Sequence, residues 1–170
     1  DLGTAYRRQG DYPQAAGYHQ QALTLFRDMR DQHGETCALN RVGETLTAMG
    51  QPDRALTQHA TALTLATQIG DRYEQARAHN GLADAHQVTD APGLALTQHT
   101  AALALATQIG ERYEQARAHD GLARTYQLAG QPGQARQHWC DAFTLYTALG
   151  VPGASDVHAR LTALDRPVEG

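Results

Sequence analysis

Lysine is absent from this 170-residue chain: all 14 basic residues are arginine. They are scattered singly, and against 18 acidic residues they leave a formal net charge of -4. A surface that tracks phosphates needs clustered cations, so direct nucleic-acid binding is not expected. Aromatics are scarce at 6%, and a core without large rings has to be built from Ala and Leu packed closely. No apolar run approaches the roughly 18 residues that cross a bilayer, and no n-region and h-region mark a signal peptide. The two cysteines, Cys37 and Cys140, are far apart and in unlike contexts. They make no disulfide framework and point to a reducing, cytoplasmic setting, as a surface thiol and a packed thiol. An initiator Met is missing, and the first residues already read as helix. A piece of a longer protein is the expectation.

What the chain does have is repetition. "LTQHATALTLATQIGDRYEQARAHNGLA" (56–83) returns as "LTQHTAALALATQIGERYEQARAHDGLA" (96–123). An offset of 40 residues aligns Ala15, Ala55, Ala95 and Ala135, and again Ala22, Ala62, Ala102 and Ala142. Within a unit, Ala55, His59, Ala62, Leu63, Ala66 and Ile69 recur at three or four residues, one face of a helix. In "MGQPDRA" and "AGQPGQA" a glycine ends one helix and a proline suits the first turn of the next. Gly70 and Gly110 make the return turn, followed by Asp71 or Glu111 where a helix N-terminus favours negative charge. Turns this short place consecutive helices antiparallel. Each helix pair cannot bury its apolar face alone, whereas stacked copies can.

The expected fold is all-α: a right-handed α-solenoid of antiparallel helix pairs. A single array over 1–164 divides into units of about 1–31, 32–70, 71–110 and 111–150. A capping helix near 154–164 carries Val157, Leu161 and Leu164 on one face, and 165–170 is a frayed tail.

Small and bulky residues alternate in a particular order: Val42, Gly43, Leu46, Ala55, His59 and Ala62 in the second unit, Leu122, Ala123, Tyr126, Ala135, Trp139 and Ala142 in the fourth. This order resembles the tetratricopeptide repeat, although the period exceeds the usual 34 and the closing proline is missing. Units of this length resemble those of kinesin light chains. With the lysine-free composition and the "GDR" and "GER" turns, the chain also resembles the C-terminal repeat arrays of actinobacterial transcriptional regulators, those of the antibiotic regulatory type with an NTPase switch domain. That resemblance implies the sensor or regulatory part of a larger regulator.

Catalytic signatures are lacking: no phosphate loop, HExxH, CxxC or GxSxG occurs. No enzyme activity, cofactor or metal is expected. Of nine histidines, His19, His59 and His99 share one column and His79 and His119 another. Column members lie one repeat apart, about 10 Å by helix packing, whereas zinc ligands sit about 2.1 Å from their ion. The columns therefore describe a packing position. His86, two turns from His79, is too distant to chelate with it. Tyr73 and Tyr113 are expected to staple neighbouring units, and Trp139 to enter the core.

A solenoid presents the first helix of each pair along a concave wall that suits an extended peptide or a helix. In this register the inward residues are Cys37, Asn40, Glu44 and Thr47, then Arg77, Asn80, Asp84 and Gln87, then Arg117, Asp120, Arg124 and Gln127. Amides can bond a peptide backbone and arginine can clasp a carboxylate. The resemblance assigns the backbone-holding role to Asn40 and Asn80, and Asp120 breaks that series. The same polar stripe is also what a merely solvated helix face looks like. Between the two near-copies, Asn80/Asp120 is the one change of charge, a hint of function at the groove. Mixed charge favours a specific polar peptide or protein segment over a generic acidic tail. The alternative role is self-association, through an apolar edge around Leu2, Tyr6, Leu23 and Phe26 in the incomplete first unit; a small-molecule or metal receptor built on the histidines ranks last.

Overall fold

The computed structural model describes residues 2–164. Among them run nine helices and no strand: α1 (Leu2–Arg8), α2 (Tyr12–Asp28), α3 (Gln32–Ala48), α4 (Pro52–Ile69), α5 (Arg72–Val88), α6 (Pro92–Ile109), α7 (Arg112–Leu128), α8 (Pro132–Leu149) and α9 (Gly153–Leu164). The tail at 165–170 lies outside the described residues.

Local chemistry sets these boundaries. Asp11, Asp31 and Asp71 each accept a hydrogen bond from the backbone N–H three residues on, at 3.2, 2.9 and 3.0 Å, which satisfies a donor the helix leaves bare. Pro52, Pro92 and Pro132 open α4, α6 and α8, where a missing N–H costs nothing. Glycine ends α4, α6 and α8 in the left-handed region. Two non-glycines take that conformation: Arg30 (φ 56°) in the turn equivalent to these, and Asp90 (φ 55°) in the other turn, where Gly10, Gly50 and Gly130 stand.

The core is thin and made of small residues. Ala15, Ala55, Ala95 and Ala135, with Ala62, Ala102 and Ala142, are wholly buried, so helix backbones approach closely. One cluster gathers Leu23, Leu39, Val42 and Leu46 with Ala38, Ala55, Ala62, Ala78 and Ala85; a second surrounds Trp139 and Tyr146 and is closed by Val157, Leu161 and Leu164 of α9.

Buried polar side chains stitch one unit to the next. Asn40 donates to the Glu74 backbone carbonyl (3.2 Å) and to its Oε2 (2.7 Å), while its Oδ1 accepts from His59 Nδ1 (3.0 Å). Forty residues later the set recurs: Asn80 donates to the Glu114 carbonyl (3.1 Å) and Oε2 (2.9 Å) and accepts from His99 (3.1 Å). Burial holds both imidazoles neutral, with pKa values lowered to about 4. The His59 ring is sandwiched between Gly43 and Gly81; a Cβ added at Gly81 would meet it at 2.2 Å. The histidine column is thus a packing position.

The series ends differently in the last pair. Asp120 Oδ1 accepts from Trp139 Nε1 (2.9 Å) and from Arg160 Nη1 of α9 (2.6 Å). Where Asn80 meets one donor, His99 on α6, and an acceptor, Glu114 on α7, Asp120 faces two donors. An acid belongs there for structural reasons, and these replace the functional hint read from the Asn80/Asp120 difference.

The N-terminal edge is also more closed than expected. Leu23 is buried, Tyr6 stacks on Tyr18 at 5.4 Å, and the Phe26 ring lies on Gly34. Of the four residues proposed for an apolar patch, Leu2 alone is largely exposed.

Candidate functional site

The first helices of successive pairs, α1, α3, α5 and α7, together with α9, surround a cleft of about 700 Å³. Its charged wall begins from Glu44 on α3. Arg77 clasps that carboxylate through two nitrogens, at 2.8 and 3.1 Å. Arg117 reaches it at 3.4 Å and Arg7 at 3.6 Å. Arg117 also meets Asp84 (3.1 Å) and Glu114 (3.3 Å), and Asp84 is held by Arg124 at 2.8 Å. Arg124 then touches Asp120 (3.4 Å), which carries Arg160. One continuous network of ion pairs therefore crosses five helices.

Its electrostatics follow from crowding. Burial alone would raise the Glu44 carboxyl, but Arg77 and Arg117 override it and hold the group well below the usual carboxylate range. Asp84 is likewise pulled down to about 2, with burial opposing and Arg124 and Arg117 prevailing. Both acids are ionised throughout the physiological range, so the cleft has a fixed charge pattern.

That pattern is lopsided. Seven arginines (7, 8, 41, 77, 117, 124 and 160) line the cleft against four carboxylates (44, 84, 114 and 120). Half of the chain's 14 basic residues thus face one hollow of a protein whose net charge is -4. Counting the buried Glu74 behind Arg77 (3.5 Å) still leaves cations in excess.

The residues proposed from sequence fall into three groups. Glu44, Arg77, Asp84, Gln87, Arg117, Asp120 and Arg124 line the cleft. Gln87 also ties α5 to α7 by donating to the Gly121 carbonyl (2.8 Å) and Thr125 Oγ1 (2.6 Å). Asn40 and Asn80 do not face the hollow: both are fully buried and bonded at each end of their amides. The polar period places them on the right helix but one step behind its inward stripe, where the next unit covers them. Gln127 is exposed and lies outside the cleft lining. The two thiols are reversed from expectation. Cys37 is half-buried beside Arg77 (3.7 Å), with burial raising its pKa, and Cys140 is exposed.

Sequence reasoning missed Arg7, Arg160, Tyr73 and Tyr113, all of which line the cleft. The signal was present. Arg7 falls in the column of Thr47 and Gln87, Arg160 in that of Asp120, and the tyrosines lie one turn before Arg77 and Arg117 on the same stripe. Tyr113 contacts Tyr146 within its own unit, at 6.0 Å between ring centroids.

Comparison with known families bears on this architecture. Two family models, each described as tetratricopeptide repeat, match residues 1–32 and 34–91, together more than half of the chain. The chain is a tetratricopeptide-repeat protein. Tetratricopeptide repeats are in general interaction modules without enzymatic activity. Among solved structures, a Rap protein complexed with competence and sporulation factor superposes with a TM-score of 0.88 at 18% identity, over 96% of this chain and 46% of that one. A putative kinesin light chain of nearly identical TPR-like repeats from Podosopora anserina gives 0.69 at 16%, over 96% and 82%. The TPR domain of Arabidopsis FLU gives 0.61 at 24%, over 70% and 98%. At such identities the likeness concerns the fold. This tetratricopeptide array spans under half the length of the Rap structures it matches. No curated protein matches its sequence. None of its described helices is long and apolar enough to cross a membrane.

Proposed function

We propose that the cleft holds a peptide or protein segment carrying carboxylates, and that the array is the sensor or regulatory part of a larger regulator. The observation that carries this reading is the surplus of arginine in one hollow of an otherwise acidic protein. A guanidinium binds a carboxylate through paired N–H donors, and a fixed positive field draws an anionic partner toward it. Because five of the seven arginines (7, 77, 117, 124 and 160) are already tied to a wall carboxylate, a ligand binds there by exchanging partners, which favours a segment with acids at matching spacing over any acidic tail.

Support also comes from the Rap protein structure, a complex with competence and sporulation factor. The likeness of composition and turns to the repeat arrays of actinobacterial transcriptional regulators favours a regulatory setting. The two free thiols fit a reducing, cytoplasmic one.

The test is fluorescence anisotropy with a panel of labelled 10- to 15-residue peptides of graded charge (lengths about those an extended groove accommodates). Acidic peptides should bind, and Arg124→Gln should weaken them at least tenfold while leaving the helical circular dichroism intact. Equal affinity for acidic and basic peptides, or an Arg124→Gln protein that binds as tightly as wild type, would overturn the assignment.

A further inference from the structure

The fourth helix pair differs from the third at a place the groove does not use. Where α7 meets α8, the Nδ1 atoms of His119 and His138 face each other at 2.9 Å. Asp141, one turn along α8 from His138, brings Oδ2 to 3.7 Å from His119 Nδ1. The three side chains each offer one ligand atom, and these atoms all lie within 4.8 Å of one another.

We infer that His119, His138 and Asp141 form a binding site for a divalent transition-metal ion of the zinc type, with water completing the shell. Zinc takes imidazole nitrogen and carboxylate oxygen at about 2.0–2.2 Å, which in a tetrahedral arrangement sets ligand atoms about 3.3 Å apart. Two of the three separations, 2.9 and 3.7 Å, bracket that value and the third is within 4.8 Å, so side-chain rotations can bring the three atoms onto one ion. Two imidazoles and one carboxylate with an open edge suit zinc and its neighbours rather than calcium or magnesium, which prefer oxygen alone.

The surroundings prepare the ligands. The Tyr126 ring stacks on His138, 5.5 Å away and within 4° of parallel, which fixes the plane of that imidazole. Burial lowers the pKa of both histidines, so each is neutral at pH 7 and has a lone pair to give. In the His–His contact one Nδ1 donates its proton and the other accepts. Binding an ion between them requires only that both rings adopt the tautomer protonated at Nε2. The His119 side chain is 16% exposed and that of Asp141 50%, leaving one side open to water and to the entering ion.

A second and independent observation is the neighbouring copy. Forty residues earlier the three positions hold His79, Gln98 and Ala101, with a single hydrogen bond from ring to amide at 2.6 Å. The copy before that has Leu39, Gln58 and Thr61. Two positions that held an amide and a small or hydroxyl side chain have both become ligands in the last unit. An exposed aspartate there has no packing role.

Zinc titrated into the untagged chain, in competition with a chromophoric chelator, tests this. One ion should bind per chain, and Co²⁺ substitution should give d–d absorption of a low-coordinate N/O site. His138→Gln, which installs the residue of the preceding copy, should weaken binding at least tenfold. Asp141→Ala, at an exposed position that leaves the fold untouched, should do the same. His33→Ala, removing an exposed histidine elsewhere, should change nothing. Absence of stoichiometric binding, or an Asp141→Ala protein that binds as wild type does, would overturn the site. Peptide binding by the cleft is read separately and does not depend on either outcome.

Discussion

Replacing Asn80 by alanine should damage the fold and not merely the groove. Its amide donates to two atoms of Glu114 and accepts from His99, all in the dry seam between α5, α6 and α7. Alanine leaves the His99 Nδ1–H without a partner, which costs about 1–3 kcal/mol for a buried donor. The Glu114 carboxylate loses a charge-assisted bond worth about 1.5–3 kcal/mol, although Arg117 still reaches it at 3.3 Å. Together these amount to roughly 3–5 kcal/mol, a large part of the roughly 5–15 kcal/mol that holds a domain together. Urea unfolding followed by circular dichroism at 222 nm reads it. With a slope of about 1–3 kcal/mol/M, the midpoint should fall by at least about 1 M. Asn80→Asp should be worse still, since it would set a second carboxylate against Glu114. A loss below about 1 kcal/mol for Asn80→Ala, or an aspartate variant more stable than the alanine one, would refute the inter-unit ladder as described.

Gly81→Ala should cost about 1–3 kcal/mol by overpacking, because the new methyl meets the rigid His59 ring, and Gly93→Ala on an open surface serves as control. Arg30→Gly should stabilise by about 1 kcal/mol, since the residue sits at φ 56° where Gly70, Gly110 and Gly150 stand in the equivalent turns; thermal melts compare the two. His59 and His99 have folded pKa values depressed to about 4 against about 6.5 unfolded. Their contribution is therefore complete above pH 6.5 and is lost as pH falls toward 4, on the order of 3 kcal/mol each. Urea midpoints at pH 7.5 and 4.5 should differ accordingly, and His99→Gln should flatten the dependence.

The fold was legible because it is written in two registers at once: a 3.6-residue apolar period inside each helix and a 40-residue period of small residues between them. Alanine columns specify close backbones, and glycine, proline and aspartate mark the ends. The cleft was partly legible, since inward polar residues share a face. What periodicity cannot resolve is a step of one position around a helix near a covered edge. Asn40 and Asn80 lie there, close enough in angle to the groove to be assigned to it, yet roofed by the following pair. Pairs between unlike columns were equally hidden. His119 and His138 are 19 residues apart, and comparing each histidine only with its own column kept them separate. Arg160 was concealed because α9 was regarded as a lid, although it continues the arginine and carboxylate alternation.

The Asn80 linkage makes the third unit a link with complementary ends: Glu74 offers an acceptor to the unit before, and Asn80 a donor to the unit after. A further copy of residues 71–110 spliced beside the original would find the Asn80–Glu74 hydrogen bonds waiting for it. The terminal unit, with Asp120 turned toward Trp139 and Arg160, would not chain in this way. Length in such an array is thus open to growth from the middle while its end stays fixed, and a longer array would carry a longer charged hollow.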